Sequence, residues 1–398
     1  MKVVYSAPNR AHHYGYARDL HQAGMLKSFV CGFSRFSPRA PIPEIGTALK
    51  RVDMVQTIYM ASLKLRMGHF VSDELAHWAK IQLDQRARQS LEGADLFLFY
   101  NGCGLNSARH FQRNGGITIV EAVNSHVLVQ EQLLREEYQR LNLAWRPFHI
   151  RETRRRVAEV EEADYVLLPS TFVARSFLSK GISANRLLLV PYPMQKIAGT
   201  SAGVPAHKND DAVFRVLYVG SISVRKGLSY LIEAFRRLKY PKRELWIVGP
   251  VARPSGLENT ALPEGVKFFG PLKGEALKAV YLQATVFCLP SIEEGLALVL
   301  SEALSHGVPV IATENTGIED LLVDGRGGMT VPIRDAVAIC DCLKRLAEDK
   351  WLLEKKRHEA GEWASCVSCN GRDTTTVSAT LSRTYHQHRS YQESIWKR

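Results

Sequence analysis

The sequence has few of the features that mark membrane-spanning or secreted proteins. Its 398 residues contain no apolar run of the length, about 18 residues, that a spanning helix needs. No charged-then-apolar leader precedes the first predicted strand. The seven cysteines are odd in number and irregularly spaced, which argues against a disulfide framework. We therefore expect a cytoplasmic, reducing environment and no membrane span.

The sequence also has no Asp-x-Asp pair, an arrangement of carboxylates that can hold a divalent cation on a diphosphate. Cys366 and Cys369 have the spacing of metal ligands, but their candidate partners Cys340 and Cys342 lie on a predicted helix. Because residues i and i+2 of a helix point in different directions, those two thiols cannot both chelate one ion. We expect no metal site and no cofactor.

Length and composition indicate an ordinary globular protein of two or three domains, at roughly 100–200 residues per domain. The hydrophobic fraction is 45% and the charged fraction 23%, which excludes wholesale disorder and low-complexity architecture.

Positive charge is in excess and unevenly distributed. Lys and Arg number 52 against 40 Asp and Glu, a net charge of +12. Residues 1–200 hold 26 basic and 17 acidic side chains (+9), and residues 201–398 hold 26 and 23 (+3). Such a basic first half is typical of proteins with an anionic partner, and nucleic acid, a phosphorylated ligand and a membrane surface all fit.

Short apolar runs alternate with amphipathic stretches, which predicts an α/β fold with parallel, doubly covered sheets. Ser170 is the predicted N-cap of a helix that runs through Leu178. The predicted strands are Lys2–Ser6, Asp95–Tyr100, Ile117–Val120, Tyr165–Pro169, Leu187–Val190, Phe214–Val219, Glu244–Val248, Val266–Phe269, Val286–Leu289 and Pro309–Thr313.

A Gly- and Pro-containing polar stretch from Met194 to Asp211 predicts an exposed linker between two such domains. We expect a first domain over residues 1–195 and a second over 212–371, with a C-terminal helix of about 372–398 packing back on the first. Ligands of such sheets bind at the carboxyl ends of the strands, so the cleft between the domains is the predicted active site.

Several motifs occur in one order between residues 162 and 309. They are Glu162-Ala163-Asp164, Leu168-Pro169-Ser170, Tyr218-Val219-Gly220-Ser221, Arg225-Lys226-Gly227, Leu245-Trp246-Ile247-Val248-Gly249, Phe269-Gly270, Leu289-Pro290-Ser291, Glu294-Gly295, Ser301-Glu302-Ala303 and Gly307-Val308-Pro309. In order and spacing they resemble the retaining nucleotide-sugar glycosyltransferases of the GT4 kind (glycosyltransferase group 1). The resemblance covers about residues 90–340 and implies the GT-B fold, two facing Rossmann-like domains.

Glu294 and Glu302 form a Glu-x7-Glu pair, with Glu302 predicted near the start of a helix and Glu294 in the loop before it. A carboxylate at such a place can accept hydrogen bonds from vicinal hydroxyls. The resemblance assigns Glu302 to the ribose and Glu294 to the donor sugar. The alternative is two glutamates that merely favour a helix N-terminus.

Arg225 and Lys226 follow a predicted strand and Gly220, which places cations near a helix N-terminus, a natural site for a diphosphate. Fixed cations there would meet the negative charge that grows on a departing nucleoside diphosphate. A solvated basic turn is the alternative. Many family members carry Arg where this chain has Ser221, so either Arg225 or Ser221 could supply the second phosphate contact.

The remaining contacts come from the resemblance. Backbone around Gly270 and Leu272 is expected to meet the base, and backbone of Gly295, Leu296, Ala297 and Leu298 the donor sugar. His126 is expected against the donor sugar at the cleft, its alternative being a histidine hydrogen-bonded within a loop. For the acceptor, His12, His13 and Gly15 occupy the loop that carries paired glycines in relatives.

Two basic stretches require a separate interpretation. Leu49–His69 predicts one basic amphipathic helix, either lying on a membrane surface or packed on the core. Arg151 to Arg156 predicts a solvated helix face that pairs with Glu159 to Glu162. The excess charge of the first half favours a membrane surface or an anionic acceptor over nucleic acid.

The sequence thus predicts a retaining hexosyltransferase that moves a sugar from a nucleotide-sugar donor to a glycan or lipid-linked acceptor in surface polysaccharide biosynthesis. We expect it to be cytoplasmic, with peripheral contact to the inner face of the membrane. One alternative is a nucleotide-sugar epimerase on the same fold, which would need acid–base residues in the cleft. The other is a nucleic-acid-binding protein, against which no recognition module appears.

Overall fold

The computed structural model describes residues 1–10, 12–65, 67–192, 213–322, 325–369 and 376–396. The predicted linker from Met194 to Asp211 lies outside the described residues. Two parallel sheets, each covered by helices, confirm the predicted α/β architecture. We call the part built on the first sheet the first domain and the part built on the second sheet the second domain.

Within the described residues the first sheet has seven strands in the order β3-β2-β1-β4-β5-β6-β7, all neighbours parallel. The strands are β1 (Val3–Ala7), β2 (Leu26–Cys31), β3 (Leu49–Arg51), β4 (Leu96–Tyr100), β5 (Ile117–Glu121), β6 (Tyr165–Leu168) and β7 (Leu187–Leu189).

The second sheet, as far as the chain is described, has six strands in the order β10-β9-β8-β11-β12-β13, again parallel. They are β8 (Phe214–Val219), β9 (Arg243–Val248), β10 (Val266–Gly270), β11 (Val286–Leu289), β12 (Val310–Thr313) and β13 (Gly328–Val331). The central strands of both sheets are buried on both faces, as helices on each side require.

The first domain's helices are α1 (His13–Gln22), α2 (Met54–Lys64), α3 (His69–Arg88), α4 (Leu105–Arg113), α5 (Val127–Arg140), α6 (Ile150–Glu162) and α7 (Thr171–Leu178). The second domain's are α8 (Leu228–Arg237), α9 (Gly274–Gln283), α10 (Leu298–Ser305), α11 (Ile318–Leu321), α12 (Ala336–Glu348) and α13 (Lys350–Cys369). The last helix, α14 (Val377–Trp396), contacts α1, where the Ser378 backbone N–H donates to Asp19 Oδ2 at 2.8 Å. None of the described helices is long and apolar enough to cross a membrane.

The single helix predicted over Leu49–His69 is wrong. Leu49 pairs with Phe29 as the start of the edge strand β3, and α2 begins only at Met54. An edge strand of three residues is fixed by its pairing with β2, which helical periodicity cannot reveal. The apolar side chains of the stretch are also not packed in a core: Met54 is 67% exposed and Ile58 50%.

The solvated face predicted for Arg151 to Arg156 is only partly correct. The helix exists as α6, and Arg151 and Arg154 are exposed. Arg155 is instead buried, with its Nη2 2.6 Å from Asp84 Oδ2 on α3 and its Nε 3.3 Å from Glu159 Oε1. A buried guanidinium needs such partners, and Asp84 is too distant in sequence for a local pattern to find.

The strand order of each sheet reverses at one point, between β1 and β4 in the first sheet and between β8 and β11 in the second. The loops after those strands part to opposite sides and leave a crevice. His12 follows β1, and Glu294 follows β11. The topology therefore places candidate residues of both domains at binding crevices.

Candidate functional site

Three residues predicted to handle the donor meet at the crevice of the second sheet. Arg225 Nη1 lies 3.0 Å from Glu294 Oε1, and Lys226 Nζ forms an ion pair with the same oxygen. The two cations occupy a 3₁₀ turn, Val224–Lys226, before α8 begins at Leu228. Both cations therefore lie one turn before α8. Gly227, at φ +60°, connects the 3₁₀ turn to the helix.

Glu294 is ionised in this arrangement. Burial alone would raise the pKa of its carboxyl, but the charges of Lys226 and Arg225 and their hydrogen bonds hold that pKa below its usual range. The carboxylate in turn stabilises the Arg225 guanidinium, whose pKa would otherwise fall on burial and instead rises. The cluster thus keeps two cations fixed in place near the expected diphosphate position.

Glu293, which sequence reasoning missed, joins this cluster to the first domain. Its Oε1 accepts from the backbone N–H and the hydroxyl of Ser125 at 3.0 and 2.8 Å, and its Oε2 accepts from Gln130 Nε2 at 2.9 Å. Its carbonyl oxygen accepts from Arg225 Nη1 at 2.8 Å. In the sequence, the only indication of this role is that two glutamates, Glu293 and Glu294, are adjacent. Sequence alone does not say which of the two faces the first domain.

A cleft cavity of about 190 Å³ connects the two domains. Its walls include His12, His13 and Tyr100 of the first domain and Glu294, Gly295 and Leu296 of the second. The domains touch closely at its edge, because a Cβ on Gly295 would lie 1.7 Å from the Val123 carbonyl oxygen. Glycine is therefore required where this loop meets the first domain.

The first domain's side of the cleft is a buried ionisable network. His12 Nε2 is hydrogen-bonded to Glu121 Oε1, and His13 Nδ1 lies 3.2 Å from Glu121 Oε2. The Tyr5 hydroxyl donates to Glu121 Oε2 at 2.7 Å and lies 2.5 Å from His13 Nδ1. The His12 ring stacks on Tyr192 with 3.9 Å between ring centroids. Glu121 ends strand β5, where a lone carboxylate after four buried residues was the available signal.

Burial would raise the pKa of Glu121, but His13 and His12 hold it far below its usual range. Burial, with the charge of His13, lowers the pKa of His12 to about 4, against the opposing effect of Glu121. The ligand atoms of His12, His13 and Glu121 lie within 4.8 Å of one another, and among the described residues they form the group that could hold a metal ion. In the structure they are satisfied by one another.

Glu302 lies in the second half of α10 rather than near its start, as its fifth residue of eight. Its Oε2 accepts a hydrogen bond from the Tyr281 hydroxyl at 3.1 Å, and the Tyr281 ring stacks on His306. Burial raises the pKa of the Glu302 carboxyl, opposed by Tyr281 and by His306. Its contacts are thus separate from those of Glu294, and its ribose role stays a prediction.

The other predicted donor contacts lie on loops at the same edge of the second sheet. Gly220 packs against Gly249, where a Cβ would lie 1.9 Å from the Gly220 carbonyl oxygen, and the Ser221 carbonyl accepts from the Tyr218 hydroxyl at 2.8 Å. Gly270 ends β10 at φ +66°. Leu272 is half-buried, Ala297 precedes α10, and Leu298 begins it with its side chain partly exposed.

His126 occupies the N-cap position of α5, where its Nδ1 accepts from the Leu128 backbone N–H at 3.3 Å. Its backbone N–H donates to Ser176 Oγ at 2.9 Å, and its ring meets Phe177 edge-on. Burial lowers the pKa of His126 to about 4, assisted by Lys180 and Arg156. These contacts give it a structural role, and its contact with a donor sugar stays a prediction. Gly15 lies within the first turn of α1.

The sequence model of one protein family, described as Glycosyl transferases group 1, matches residues 213–349. Sulfoquinovosyl transferase SQD2 of Arabidopsis thaliana is 28% identical over 195 residues, 46% of this chain and 37% of that protein. The amylovoran biosynthesis glycosyltransferase AmsK of Erwinia amylovora is 30% identical over 218 residues, 49% and 53% of the two chains. The chain thus spans about half or less of the length of these curated relatives.

The whole chain resembles solved two-domain structures. Sucrose-phosphate synthase of Thermosynechococcus elongatus superposes with a TM-score of 0.65 at 18% identity, covering 98% of this chain and all of that one. Anabaena HepE in complex with UDP-glucose gives a TM-score of 0.60 at 14% identity, covering 98% and 100%. Residues 213–349 therefore match the group 1 glycosyl transferase family, and the chain as a whole shares the two-domain GT-B fold of these structures.

Proposed function

We propose that this protein is a glycosyltransferase that transfers a sugar from a nucleotide-sugar donor to an acceptor. The observation that carries the proposal is the convergence of Arg225, Lys226 and Glu294 at the second sheet's crevice, open to a cleft whose other wall is the first domain. The relatives named above are glycosyltransferases, and the HepE structure contains UDP-glucose, which supports a nucleotide sugar as the donor.

In this proposal the second domain holds the donor. Glu302 binds the ribose hydroxyls, Arg225 and Lys226 the diphosphate, and Glu294 the sugar. Backbone of Gly270 to Leu272 meets the base, and backbone of Gly295 to Leu298 completes the sugar site. The leaving diphosphate gains negative charge as the glycosidic bond breaks, and the two fixed cations stabilise that charge without reorganising. The proposal also assigns His126 a contact with the donor sugar.

We propose retention of anomeric configuration, by attack on the face that the diphosphate leaves, with a phosphate oxygen taking the acceptor proton. The acceptor occupies the first domain's side of the cleft, near His12, His13 and Gly15. A glycan or a lipid-linked saccharide in cell-surface polysaccharide biosynthesis is the proposed acceptor. The same-fold epimerase is not supported, since the named relatives are transferases, and neither is nucleic-acid binding.

Peripheral contact with the inner face of a membrane belongs to the same proposal. Helices α2 and α3 expose large apolar side chains next to basic ones, a pattern typical of interfacial helices. The more exposed of them are Met54, Ile58, Phe70 and Trp78, and Leu65 and Met67 are exposed between the two helices.

The donor site is tested with Glu302→Ala. Removing a carboxylate that binds two hydroxyls should weaken nucleoside diphosphate binding about tenfold or more, because charged hydrogen bonds contribute roughly 1.5–3 kcal/mol. The readout is the rise in melting temperature across a panel of nucleoside diphosphates, which should shrink in the variant. Glu275→Ala, at an exposed glutamate of α9, is the matched control. Undiminished stabilisation of Glu302→Ala would remove the ribose assignment.

A further inference from the structure

The first domain contains a second cavity, larger than the cleft cavity and without a role in the proposed transfer. It has a volume of about 340 Å³ and lies between α3 and the N-terminal turn of α6. Its walls include Lys80, Arg146, His149, Glu152, Thr153 and Arg156. We call it the α6 pocket.

The α6 pocket has a positive charge in excess. Its two carboxylates are already paired: Glu152 with Lys80 and with His77, at 2.6 Å from His77 Nδ1, and Asp73 with Arg146. Arg156 is different, because its Nε donates to the amide oxygen of Asn101 at 3.0 Å, and among the described residues no carboxylate lies within 4.0 Å of it. A guanidinium bonded to a neutral amide keeps both its charge and further N–H donors for a ligand.

Two polar atoms in the wall of the pocket lack partners. Thr153 is 8% exposed, and its buried hydroxyl oxygen has no hydrogen-bond partner. The buried Nδ1 of His149 has no hydrogen-bond partner either. Leaving such buried polar atoms without hydrogen-bond partners is unfavourable. Both belong to the start of α6, whose N-cap residue His149 makes no side-chain capping bond. A helix N-terminus favours negative charge and offers free N–H groups.

The α6 pocket adjoins the cleft through the end of strand β4. Tyr100 lines the cleft cavity, and the next residue, Asn101, holds Arg156 of the α6 pocket. The proximity is also electrostatic: burial raises the pKa of Tyr100, while the charges of Arg156 and Lys80 oppose that rise. The α6 pocket is therefore linked to the cleft wall through two consecutive residues at one strand end.

We infer that the α6 pocket binds a phosphate group carried by the acceptor, with Arg156 and the Thr153 hydroxyl as its principal donors. A phosphate oxygen would satisfy the Thr153 hydroxyl, and the excess charge of the pocket would balance the anion. The cavity also has room for part of the group that bears the phosphate. That this phosphate belongs to the acceptor rests on the proposed function, whereas the anion site itself rests on the pocket alone.

The test is a titration of the full chain with inorganic phosphate. A saturating nucleoside diphosphate is present throughout, and chloride keeps the ionic strength constant. Binding is measured by calorimetry. We expect saturable binding to the wild type, weakened about tenfold or more in Arg156→Gln and several-fold in Thr153→Val. Thr153→Val removes a hydroxyl that bonds nothing in the protein, so it should not impair folding. Arg154→Gln, on the exposed face of the same helix, has the same change of charge and should bind phosphate as the wild type does.

Two further ligands identify the source of the phosphate. Arg156-dependent binding of glycerol phosphate indicates a soluble phosphorylated acceptor, and Arg156-dependent binding only of vesicles containing phosphatidylglycerol indicates a lipid-borne one. Absence of saturable phosphate binding, or equal losses in Arg156→Gln and Arg154→Gln, would overturn the inference. Failure of nucleoside diphosphates to bind would instead contradict the proposed function and leave phosphate binding at Arg156 intact.

Discussion

At the scale of single residues, the main feature is that one carboxylate, Glu294, holds both cations of the expected diphosphate site. Lys and Arg side chains are otherwise long and rotationally free, and fixing them costs entropy. Their pairing with a buried Glu294 places them before any donor arrives. A diphosphate would then meet cations already oriented, with Glu294 left to accept hydrogen bonds from sugar hydroxyls.

Lys226→Ala tests whether this charge serves the chemical step. We expect turnover to fall by about 100-fold, the size typical of one lost transition-state donor, with a smaller loss of donor affinity. The reason is that the charge on the leaving diphosphate is greatest in the transition state. Initial rates over a range of donor concentrations separate kcat from KM.

Lys267→Ala is the matched control, since Lys267 also pairs with a glutamate, Glu244, but on β9 and β10 away from the cleft. A variant Lys226→Ala in which KM alone rises would show that the lysine binds donor and transition state equally.

Residues of the site could be predicted where local sequence carries them. Arg225, Lys226 and Glu294 lie within 70 residues in motifs of fixed spacing, and the structure brings them together. Glu121 could not be found this way, because its partner His12 is 109 residues away and the pairing exists only once β1 and β5 share a sheet. Glu293 is hidden by its neighbour, since adjacent loop residues point in directions that only the fold decides.

At the scale of elements, buried strands were the most predictable features. A run such as Phe214–Val219 is apolar because helices cover both faces of its sheet, so length and composition suffice to find it. The sequence-based predictions were wrong at the edge of the first sheet and at helix ends. Strand β3 is a three-residue edge strand, and α3 begins after Gly68, a glycine of the kind that commonly ends or starts a helix and that the continuous amphipathic pattern outweighed.

The variant His126→Asn tests whether the histidine that caps α5 makes the stability of the protein depend on pH. The folded protein lowers the pKa of His126 from 6.5 to about 4, so between these values the unfolded chain binds the proton more readily. The resulting stability is present above pH 6.5 and is lost as pH falls toward 4, by up to about 3 kcal/mol. Asparagine can cap the helix but does not titrate.

Urea unfolding at pH 7 and pH 4.5 measures this effect. The difference in free energy of unfolding between the two pH values should be smaller in His126→Asn than in the wild type. His358→Asn, at an exposed histidine of α13, should leave the difference unchanged. Equal differences in all three proteins would mean that His126 is not buried in its neutral form.

At the scale of the whole molecule, polar contacts at several places join the two domains. Asp320 of α11 accepts from the Thr171 backbone N–H at 2.9 Å, at the start of α7. Arg334 of the second domain contacts α5 of the first, with its Nε 2.8 Å from Glu137 Oε2 and its Nη1 2.9 Å from Glu136 Oε2. With the bonds of Glu293, these contacts fix the closed cleft that the donor and acceptor would share.

Arg334→Gln should open the cleft without unfolding either domain. Glu137 is fully buried, and losing the guanidinium leaves its carboxylate without this ion-pair partner, a change that costs up to about 3–5 kcal/mol in the closed arrangement. Opening the domains returns that carboxylate to water, so the open population should rise. Arg334 also adopts φ +63°, an unfavourable conformation for a side chain larger than glycine, which these contacts help to maintain.

Small-angle scattering checks this prediction, as a larger radius of gyration for Arg334→Gln than for the wild type, with an unchanged circular dichroism spectrum. A nucleotide sugar that bridges the domains should reverse the increase, because binding to the closed form shifts the population back. Arg326→Gln is the control, since Arg326 pairs with Glu362 inside the second domain. Identical scattering from Arg334→Gln and the wild type would mean that the remaining contacts, those of Glu293 and Asp320, suffice to keep the cleft closed.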